Sequence, residues 1–219
     1  SSLKKYFGKD LTEQLIKNDG KIKGANKWVT ISFIDIVSYS NIIEKMSPEV
    51  AVEFLNEYFT KMHSVIKEYN GVILNYIGDC VMVVFGAPKN VRNHEILAVQ
   101  SALEMRAMLE KLNSEWDQKE FSRYWKNIGI KSIKFRIGIH SGNLIIGNIG
   151  SKDLLQYSAI GDVVNIASRL EKINKEFNTD IAISEEVFAA LTQKYSKNAK
   201  LQSEISLKGK TKSTKVYTL

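Results

Sequence analysis

The stretch GVILNYIGDCVMVVFGAP, residues 71–88, contains two apolar runs on either side of Gly78-Asp79. The runs VILNYI and CVMVVF are rich in β-branched and aromatic residues, which favour strands, and a Gly-Asp pair is typical of a two-residue hairpin turn. A third run of this kind, WVTISFIDI, covers residues 28–36 and predicts a buried strand. These three runs predict the centre of a β-sheet.

Between the predicted strands, apolar residues recur at the spacing of α-helices. The first predicted helix runs from Pro48 to about Tyr69, with Ser47 as the N-cap and proline at the first helical position. A second helix is predicted over 93–116 and a third over 162–177. Each predicted helix is therefore long enough to cover a face of the sheet.

The second half of the chain adds further strands. IKFRIGIH and NLIIGNIG predict two strands with a turn around Ser141-Gly142, preceded by a polar and aromatic connection over 117–132. DIAIS predicts one more strand, followed by a short helix from Glu185 and two strands at the end of the chain. The order strand, helix, strand, strand, helix, strand predicts an α+β fold, a ferredoxin-like palm with appended C-terminal elements and helices packed on an antiparallel-rich central sheet.

The first 27 residues differ in pattern from the rest of the chain. An amphipathic helix over 3–18 is followed by a stop at Asp19-Gly20, and we expect residues 1–27 to form a connecting helix and linker. Because no repeat or linker divides residues 28–219, we expect those residues to form one domain.

Composition and charge exclude several classes of protein. The 219 residues are 44% hydrophobic and 25% charged, as in ordinary globular domains, which excludes a disordered chain, a collagen-like repeat and a disulfide scaffold. The net charge of +7 comes from lysines near the two ends of the chain, whereas nucleic-acid binders concentrate basic and aromatic residues on one element, so we expect no nucleic-acid partner. A single cysteine, no signal peptide and no apolar run long enough to span a bilayer favour a cytoplasmic domain.

Two aspartates lie where carboxylates are unusual. Asp35 is near the end of an apolar strand, where an unpaired charge is costly to bury, and Asp79 is at the tip of the hairpin. In a palm the hairpin pairs beside the first strand, which brings the two carboxylates together. Adjacent carboxylates repel unless a cation lies between them, and their hard oxygen atoms suit Mg²⁺ or Mn²⁺. Aspartate beside glycine is also ordinary turn chemistry, so the pair, rather than Asp79 alone, indicates a metal site.

The helix predicted over 162–177 carries a second pair of polar residues. At 100° per residue, Asn165 and Arg169 share one edge of the helix. They lie beside an apolar stripe of Ile166, Leu170, Ile173 and Phe177. Arginine suits phosphate geometry and asparagine can hold a ribose oxygen, but an ordinary solvent-exposed pair is the alternative.

Taken together, these segments resemble the catalytic domain of a class III nucleotide cyclase, the adenylyl and guanylyl cyclase family. The matching segments, in the family's order and spacing, are FIDIVSYS (33–40), GVILNYIGDCVMVVFGAP (71–88), FRIGIHSGNLIIGNIGS (135–151), YSAIGDVVNIASRLE (157–171) and LKGK (207–210). The N-terminal helix resembles the segment that joins such bacterial domains to an upstream sensory module. The resemblance implies a catalytic domain over 28–219, in a full-length protein that could be attached to a membrane.

The resemblance implies an intramolecular reaction. In that reaction the 3′-hydroxyl of ATP attacks its own α-phosphorus, which gives 3′,5′-cyclic AMP and pyrophosphate. Asp35 and Asp79, with the backbone carbonyl of Ile36, would hold two divalent metal ions, Mg²⁺ or Mn²⁺, that activate the hydroxyl and grip the triphosphate.

The same resemblance implies roles for the other polar residues. Arg169 would neutralise charge on the α-phosphoryl group, and Asn165 would orient the ribose. In the family the metal aspartates of one subunit face the Asn–Arg pair of the other, so a homodimer with composite active sites is implied. Contacts to the phosphates would come from Lys208 and from backbone N–H groups of the turn formed by Val37, Ser38, Tyr39 and Ser40.

In the family that this chain resembles, two positions select the nucleotide base. In this sequence those positions are Asn75 and Ser158. Adenylyl cyclases commonly have Lys at the first position and Asp, Thr or Ser at the second, whereas guanylyl cyclases commonly have Glu and a small residue such as Cys. Ser158 fits a bacterial adenylyl variant, but Asn75 fits neither pattern. ATP is therefore the expected substrate, with GTP, or both nucleotides, as the alternative.

Two other classes of protein compete with this interpretation. One is a catalytically silent regulatory or dimerisation module, which would have no reason to keep Asp35, Asp79, Asn165 and Arg169. The other is a diguanylate cyclase, which shares the palm and the two-metal chemistry. YIGDC does not supply the hairpin signature of that class, so the nucleotide cyclase remains the expected function.

Overall fold

The sheet is built around a long antiparallel strand pair, β1 (Ala25–Ile36) and β4 (Phe135–Gly150). The computed structural model describes residues 9–17, 22–151, 155–206 and 213–219. The pairing of β1 with β4 runs without interruption from Ala25 opposite Ile146 to Ile36 opposite Phe135. Because β1 pairs with a strand on each side, its side chains lie at the centre of the sheet.

The predicted hairpin pairs with the other edge of β1. In β2 (Gly71–Ile77) and β3 (Cys80–Phe85), Ile77 lies opposite Cys80 across a two-residue turn. The remaining strands are β5 (Leu155–Ile160), β6 (Ile181–Ser184), β7 (Lys200–Ser206) and β8 (Ser213–Thr218). The strand order is β2-β3-β1-β4-β6-β8-β7, with β5 paired to β4. β6 is parallel to β4, and the other pairings are antiparallel.

Helices lie on both faces of this sheet. They are α1 (Lys9–Lys17), α2 (Tyr39–Ile43), α3 (Pro48–Glu68), α4 (His94–Gln118), α5 (Arg123–Lys126), α6 (Asp162–Phe177), α7 (Glu185–Ala190) and α8 (Gln193–Ser196). α3 and α4 cover one face with the largest apolar cluster, whereas α6 packs on the other face. None of the helices in the described residues is both long and apolar enough to cross a membrane.

The helices begin and end close to the predicted positions. Ser47 caps α3 by accepting a hydrogen bond from the Val50 amide at 3.4 Å, and Pro48 is the first helical residue. After α3, Asn70 takes the left-handed conformation, with φ of 60°. α6 covers the predicted range 162–177. The predicted α+β fold with ferredoxin-like strand order is confirmed.

Part of the N-terminal helix prediction falls on described residues. Of the helix predicted over 3–18, residues 9–17 form α1, and Leu11 is buried in the apolar cluster on the α6 face of the sheet. The rest of that prediction lies outside the described residues. The first strand begins at Ala25, three residues before the predicted start, and the division at residue 27 stays a prediction.

The predicted turn at Ser141-Gly142 is wrong. Both residues lie inside β4 and pair with β1. Glycine is needed there for packing rather than for a turn, because a Cβ on Gly142 would lie 2.7 Å from Cγ2 of Val163 on α6. The chain reverses after Gly150 instead and enters β5, a strand that the apolar pattern does not predict.

The segment 117–132 is more than a connection. It contains α5, whose Trp125 is fully buried. The Trp125 ring packs against Phe54 and Trp116 at centroid distances of 5.8 and 5.3 Å. A single buried ring in a polar segment gives no periodic pattern, which is why the sequence predicts only a connection.

α6 lies against β4 at close range. A Cβ on Gly138 would lie 2.1 Å from the backbone nitrogen of Glu171 and 2.3 Å from the carbonyl oxygen of Ala167, so only glycine permits this approach. Asn174 is fully buried and donates from Nδ2 to the Ile137 carbonyl at 2.9 Å. The position of α6 on the sheet is therefore fixed by backbone contact and by a buried hydrogen bond.

Candidate active site

The two predicted metal-binding aspartates lie together at one end of the sheet. Asp35 is the penultimate residue of β1, and Asp79 follows Gly78, whose φ of 64° makes the tight turn into β3. Asp79 Oδ2 accepts a hydrogen bond from the Ile36 amide at 3.0 Å. Asp35, Ile36 and Asp79 all line one open polar cleft.

The electrostatics of this carboxylate pair favour a bound cation. Burial, together with the side chain and charge of Asp35, raises the pKa of Asp79 to about 7. A divalent cation between the carboxylates would remove this repulsion. The described residues contain no group of three or more His, Cys, Asp or Glu side chains able to hold a metal. Two carboxylates are nevertheless a donor set that fits Mg²⁺, which usually keeps waters and substrate phosphates as its other ligands.

The turn after β1 forms one wall of the cleft. Ser38 takes the left-handed conformation, with φ of 60°, immediately before α2, and Ser38, Tyr39 and Ser40 line the cleft. Val37 differs, because its amide donates to the Lys134 carbonyl at 2.9 Å. The Val37 amide therefore cannot bind a phosphate as expected, because it already donates to Lys134. For Ser38, Tyr39 and Ser40 the phosphate contact stays a prediction.

The cleft also contains charged residues that the sequence analysis does not predict. Arg136 lies opposite Asp35 in the register of β1 and β4, and it lines the cleft. Glu171 on α6 is buried, with Oε1 3.4 Å from Arg136 Nε. Burial and then the charge of Asp35 raise the pKa of Glu171 to about 7, against the opposing effect of Arg136. The sequence signal for Arg136 is its place inside the apolar run FRIGIH, whereas Glu171 has no comparable signal.

Asn165 and Arg169 do not take part in this cleft. Both are exposed on one edge of α6, and neither lines the cleft of Asp35 and Asp79. Arg169 Nη1 donates to the Ser206 carbonyl at the end of β7, at 2.7 Å. Within the described residues, one chain thus brings the aspartates together without placing the Asn–Arg pair beside them.

The predicted base-reading residues Asn75 and Ser158 lie on β2 and β5. The side-chain amide of Gln156 donates a hydrogen bond to Oδ1 of Asn75. Gln156 and Ser158 are two residues apart on β5 and therefore point to the same side of the strand. The structure thus brings Asn75 near Gln156, a residue that the sequence analysis does not predict. The predicted phosphate-binding residue Lys208 lies outside the described residues.

Comparison with known proteins identifies the family. The model of the adenylate and guanylate cyclase catalytic domain matches residues 23–219, and the chain belongs to this family. Adenylate cyclase 1 of Rhizobium meliloti is 35% identical over 187 residues, which are 84% of this chain and 27% of that protein. The adenylate cyclase of Anabaena cylindrica is 31% identical over 208 residues, and this chain spans less than half the length of either relative.

Solved structures share this fold. The adenylyl cyclase CyaB from P. aeruginosa is 27% identical, with a TM-score of 0.73 over 90% of this chain and 95% of the other. The guanylyl cyclase Cya2 is also 27% identical, with a TM-score of 0.72 over 89% of this chain and 92% of the other. Cyclases named for either nucleotide are therefore similar to this chain, and overall similarity does not decide the base.

Proposed function

We propose that this chain is a catalytic domain that converts ATP into 3′,5′-cyclic AMP and pyrophosphate. The observation that carries the proposal is the Asp35–Asp79 pair, held together by the Ile36 amide in an open polar cleft. Arg136 adds a guanidinium to the same cleft. Paired carboxylates and a guanidinium are complementary to a divalent metal and a triphosphate.

In this proposal Asp35, Asp79 and the Ile36 carbonyl hold two Mg²⁺ or Mn²⁺ ions. Bound ions would lower the pKa of the 3′-hydroxyl and neutralise charge on the triphosphate. The 3′-hydroxyl would give its proton to water, its oxygen would bond to the α-phosphorus, the bond from that phosphorus to the oxygen bridging to the β-phosphate would break, and pyrophosphate would leave. Ser38, Tyr39 and Ser40 in the turn after β1, together with Lys208, would contact the phosphates.

A second copy of the chain completes each site in this proposal. Arg169 of one subunit stabilises the charge that develops on the α-phosphoryl group bound by the other subunit, and Asn165 orients its ribose. Both side chains are exposed and neither lines the cleft of its own chain, which supports this arrangement. Two-fold symmetry then gives two composite sites. In the full-length protein, residues 1–27 would connect this domain to an upstream sensory module.

ATP is the proposed substrate because of how the Asn75 amide is oriented. Since Gln156 donates to Oδ1 of Asn75, the Asn75 NH₂ group is the part left to face a base. An NH₂ donor pairs with N1 of adenine, which accepts, whereas N1–H of guanine donates and guanine offers an acceptor only at O6, so this orientation favours adenine at the N1 position. Ser158 can accept from the 6-amino group of adenine. GTP is the second candidate, and the similarity to the guanylyl cyclase Cya2 is the observation that favours it.

A direct assay tests the proposed function. The purified chain is incubated with Mn²⁺ and either ATP or GTP, and cyclic nucleotide and pyrophosphate are measured by chromatography. We expect equimolar cyclic AMP and pyrophosphate, with a higher kcat/KM for ATP than for GTP.

Matched variants separate the site from the rest of the fold. Asp35→Asn should abolish product formation, whereas Asp117→Asn, at a surface aspartate paired with Lys126, should keep it. No cyclic product from either nucleotide, in a folded and dimeric sample, would contradict the proposal. Preferred use of GTP would leave the reaction in place and overturn only the base assignment.

A further inference from the structure

We propose that Glu171 is a positioning residue that draws Arg136 away from Asp35, so that Asp35 stays free for a metal ion and Arg136 stays free for a phosphate. The inference rests on the proposed function. It concerns a buried carboxylate on the helix that also carries Asn165 and Arg169. Three features of the structure support it.

The first feature is the register of the two central strands. Asp35 and Arg136 lie directly opposite each other on β1 and β4. Directly opposed side chains on an antiparallel pair lie on the same face, close enough for opposite charges to interact. An Asp–Arg salt bridge is therefore the expected result of this register. A metal-binding carboxylate held in such a bridge would have to give up the arginine before it could bind a cation.

The second feature is where the Arg136 side chain lies. Its Nε faces Glu171 Oε1 at 3.4 Å, and no ion pair joins Arg136 to Asp35 in the described part of the chain. The side chains of Arg136 and Glu171 are 18% and 6% exposed, so solvent screens this charge pair weakly. Glu171 therefore offers Arg136 a second carboxylate, carried by α6 rather than by β1.

Gly138 explains how α6 can place the Glu171 carboxylate close to Arg136. Gly138, two residues after Arg136 on the same face of β4, lets the α6 backbone approach the strand directly at Glu171. The carboxylate of Glu171 is thereby placed over Arg136. No residue with a Cβ at position 138 would allow this placement without moving α6.

The third feature is the incomplete hydrogen bonding of the pair. Within the described residues, Arg136 Nε and Glu171 Oε1 are buried without a hydrogen-bond partner. By contrast, Arg106 binds Asp180 through two hydrogen bonds of 2.7 Å each, in a closed bidentate pair. The Arg136–Glu171 contact is thus a charge contact at the inner nitrogen of the guanidinium. It leaves the outer nitrogens of this cleft-lining residue available to an anionic ligand.

The test measures Mn²⁺ binding to the nucleotide-free protein, by the loss of the free Mn²⁺ signal in electron paramagnetic resonance. Removing the Glu171 charge in Glu171→Gln should let Arg136 pair with Asp35 and weaken Mn²⁺ binding about tenfold. Removing the arginine as well, in Glu171→Gln/Arg136→Met, should restore binding to within about threefold of the unmodified chain. A purely structural role of Glu171 would not give this recovery. Asp180→Asn, which breaks the partly buried pair of Asp180 with Arg106, is the matched control and should leave Mn²⁺ binding unchanged.

A single variant keeps the inference testable if Glu171→Gln does not fold. Because Arg136 is already held away from Asp35, Arg136→Met alone should change Mn²⁺ affinity by less than about threefold while raising the KM for the nucleotide. A large gain in Mn²⁺ affinity in that variant would mean that Arg136 occupies Asp35 in the unmodified chain, and would overturn the inference. Unchanged Mn²⁺ binding in folded Glu171→Gln, or no recovery in the double variant, would overturn it too. If the unmodified chain binds no Mn²⁺, the proposed function fails first, and this inference fails with it.

Discussion

Asp79 and Ile36 are joined by a hydrogen bond of 3.0 Å between the aspartate Oδ2 and the isoleucine amide. This bond ties the tip of the hairpin to the end of β1 and holds the Asp79 carboxylate toward Asp35. Burial and the second carboxylate together raise the pKa of Asp79 to about 7. Two carboxylates are therefore held close together at a cost to the metal-free fold.

Replacing Asp35 should stabilise the metal-free chain while abolishing its activity. A raised pKa for Asp79 means that this group favours the folded state below about pH 4, and that the contribution is lost as the pH rises through 7. In Asp35→Ala part of this loss disappears, so we expect a gain of about 1 kcal/mol in the free energy of unfolding at pH 8 and a smaller gain at pH 4. Thermal denaturation without divalent metals measures both values.

The same variant should lose cyclase activity by about 100-fold or more, because an interaction with a metal supplies several kcal/mol of transition-state stabilisation. Asp117→Ala serves as the control for the loss of a surface carboxylate. A variant at Asp35 or Asp79 with full activity would contradict the metal assignment. Equal stability of Asp35→Ala and the unmodified chain at pH 8 would contradict the repulsion between the carboxylates.

Mn²⁺ binding should strengthen as the pH rises through 7. Protons and Mn²⁺ compete for Asp79, whose pKa is raised to about 7, so the carboxylate is mostly protonated at pH 6 and mostly ionised at pH 8. We expect the apparent affinity to increase about tenfold between these pH values, with release of a proton on binding. Titrations at pH 6, 7 and 8 check this, and an affinity that stays constant over this range would argue against a proton on Asp79.

Mixing two inactive variants should restore activity if the site is shared between subunits. Asp35→Ala removes a metal ligand and Arg169→Ala removes the proposed α-phosphoryl contact, so each homodimer lacks both working sites. A mixed dimer has one site in which both residues are intact, and random exchange should recover about a quarter of the unmodified activity. The measurement is cyclic AMP production after the two chains are combined, with each variant alone as the control. No recovery, once mixed dimers have been detected by differently sized tags, would exclude the composite site.

The orientation of Asn75 should set the preference between nucleotides. In Gln156→Glu the new carboxylate can only accept, so it should bind the Asn75 NH₂ group and turn the Asn75 carbonyl toward the base. We expect the ratio of kcat/KM for ATP to that for GTP to fall about tenfold, which corresponds to 1–2 kcal/mol of discrimination. Gln118→Glu, at an exposed glutamine at the end of α4, is the control for the added charge.

Two substitutions at position 75 test the same assignment from the other side. Asn75→Lys should sharpen the preference for ATP, because lysine can only donate, and Asn75→Glu should shift it toward GTP, because a carboxylate accepts from the N1–H and 2-amino groups of guanine. A tenfold preference of the unmodified chain for GTP, or no effect of Gln156→Glu, would contradict the proposed amide orientation.

The sequence predicts those parts of the fold that have a periodic pattern. β1, the β2–β3 hairpin, α3 and α6 combine strong apolar spacing with clear caps or turn residues, and the structure has them where expected. The turn predicted at Ser141-Gly142 is wrong because glycine occurs both in turns and at close packing contacts, and a single sequence does not distinguish the two. The space that Gly142 leaves for Val163 exists only once α6 has packed on the sheet.

The sequence likewise predicts only those residues of the candidate site that belong to a recognisable local pattern. Asp35 and Asp79 are recognisable because a carboxylate at the end of an apolar strand and another at a hairpin tip converge in any palm. Glu171 is not, because its significance depends on a contact between α6 and β4 far apart in the chain. Gln156 lies on β5, which the apolar pattern does not predict, so its hydrogen bond to Asn75 becomes apparent only in the structure.

The close contact at Gly138 limits how an enzyme of this design could be regulated. The α6 backbone rests directly on β4, and the buried Asn174 bonds the helix to the same strand. Sliding or rotating α6 within its own subunit would break these contacts, so the helix and the sheet have to move as one rigid body. In the proposed dimer, a signal from outside the domain would therefore have to turn one whole subunit against the other, which would bring Arg169 toward the partner's cleft or withdraw it.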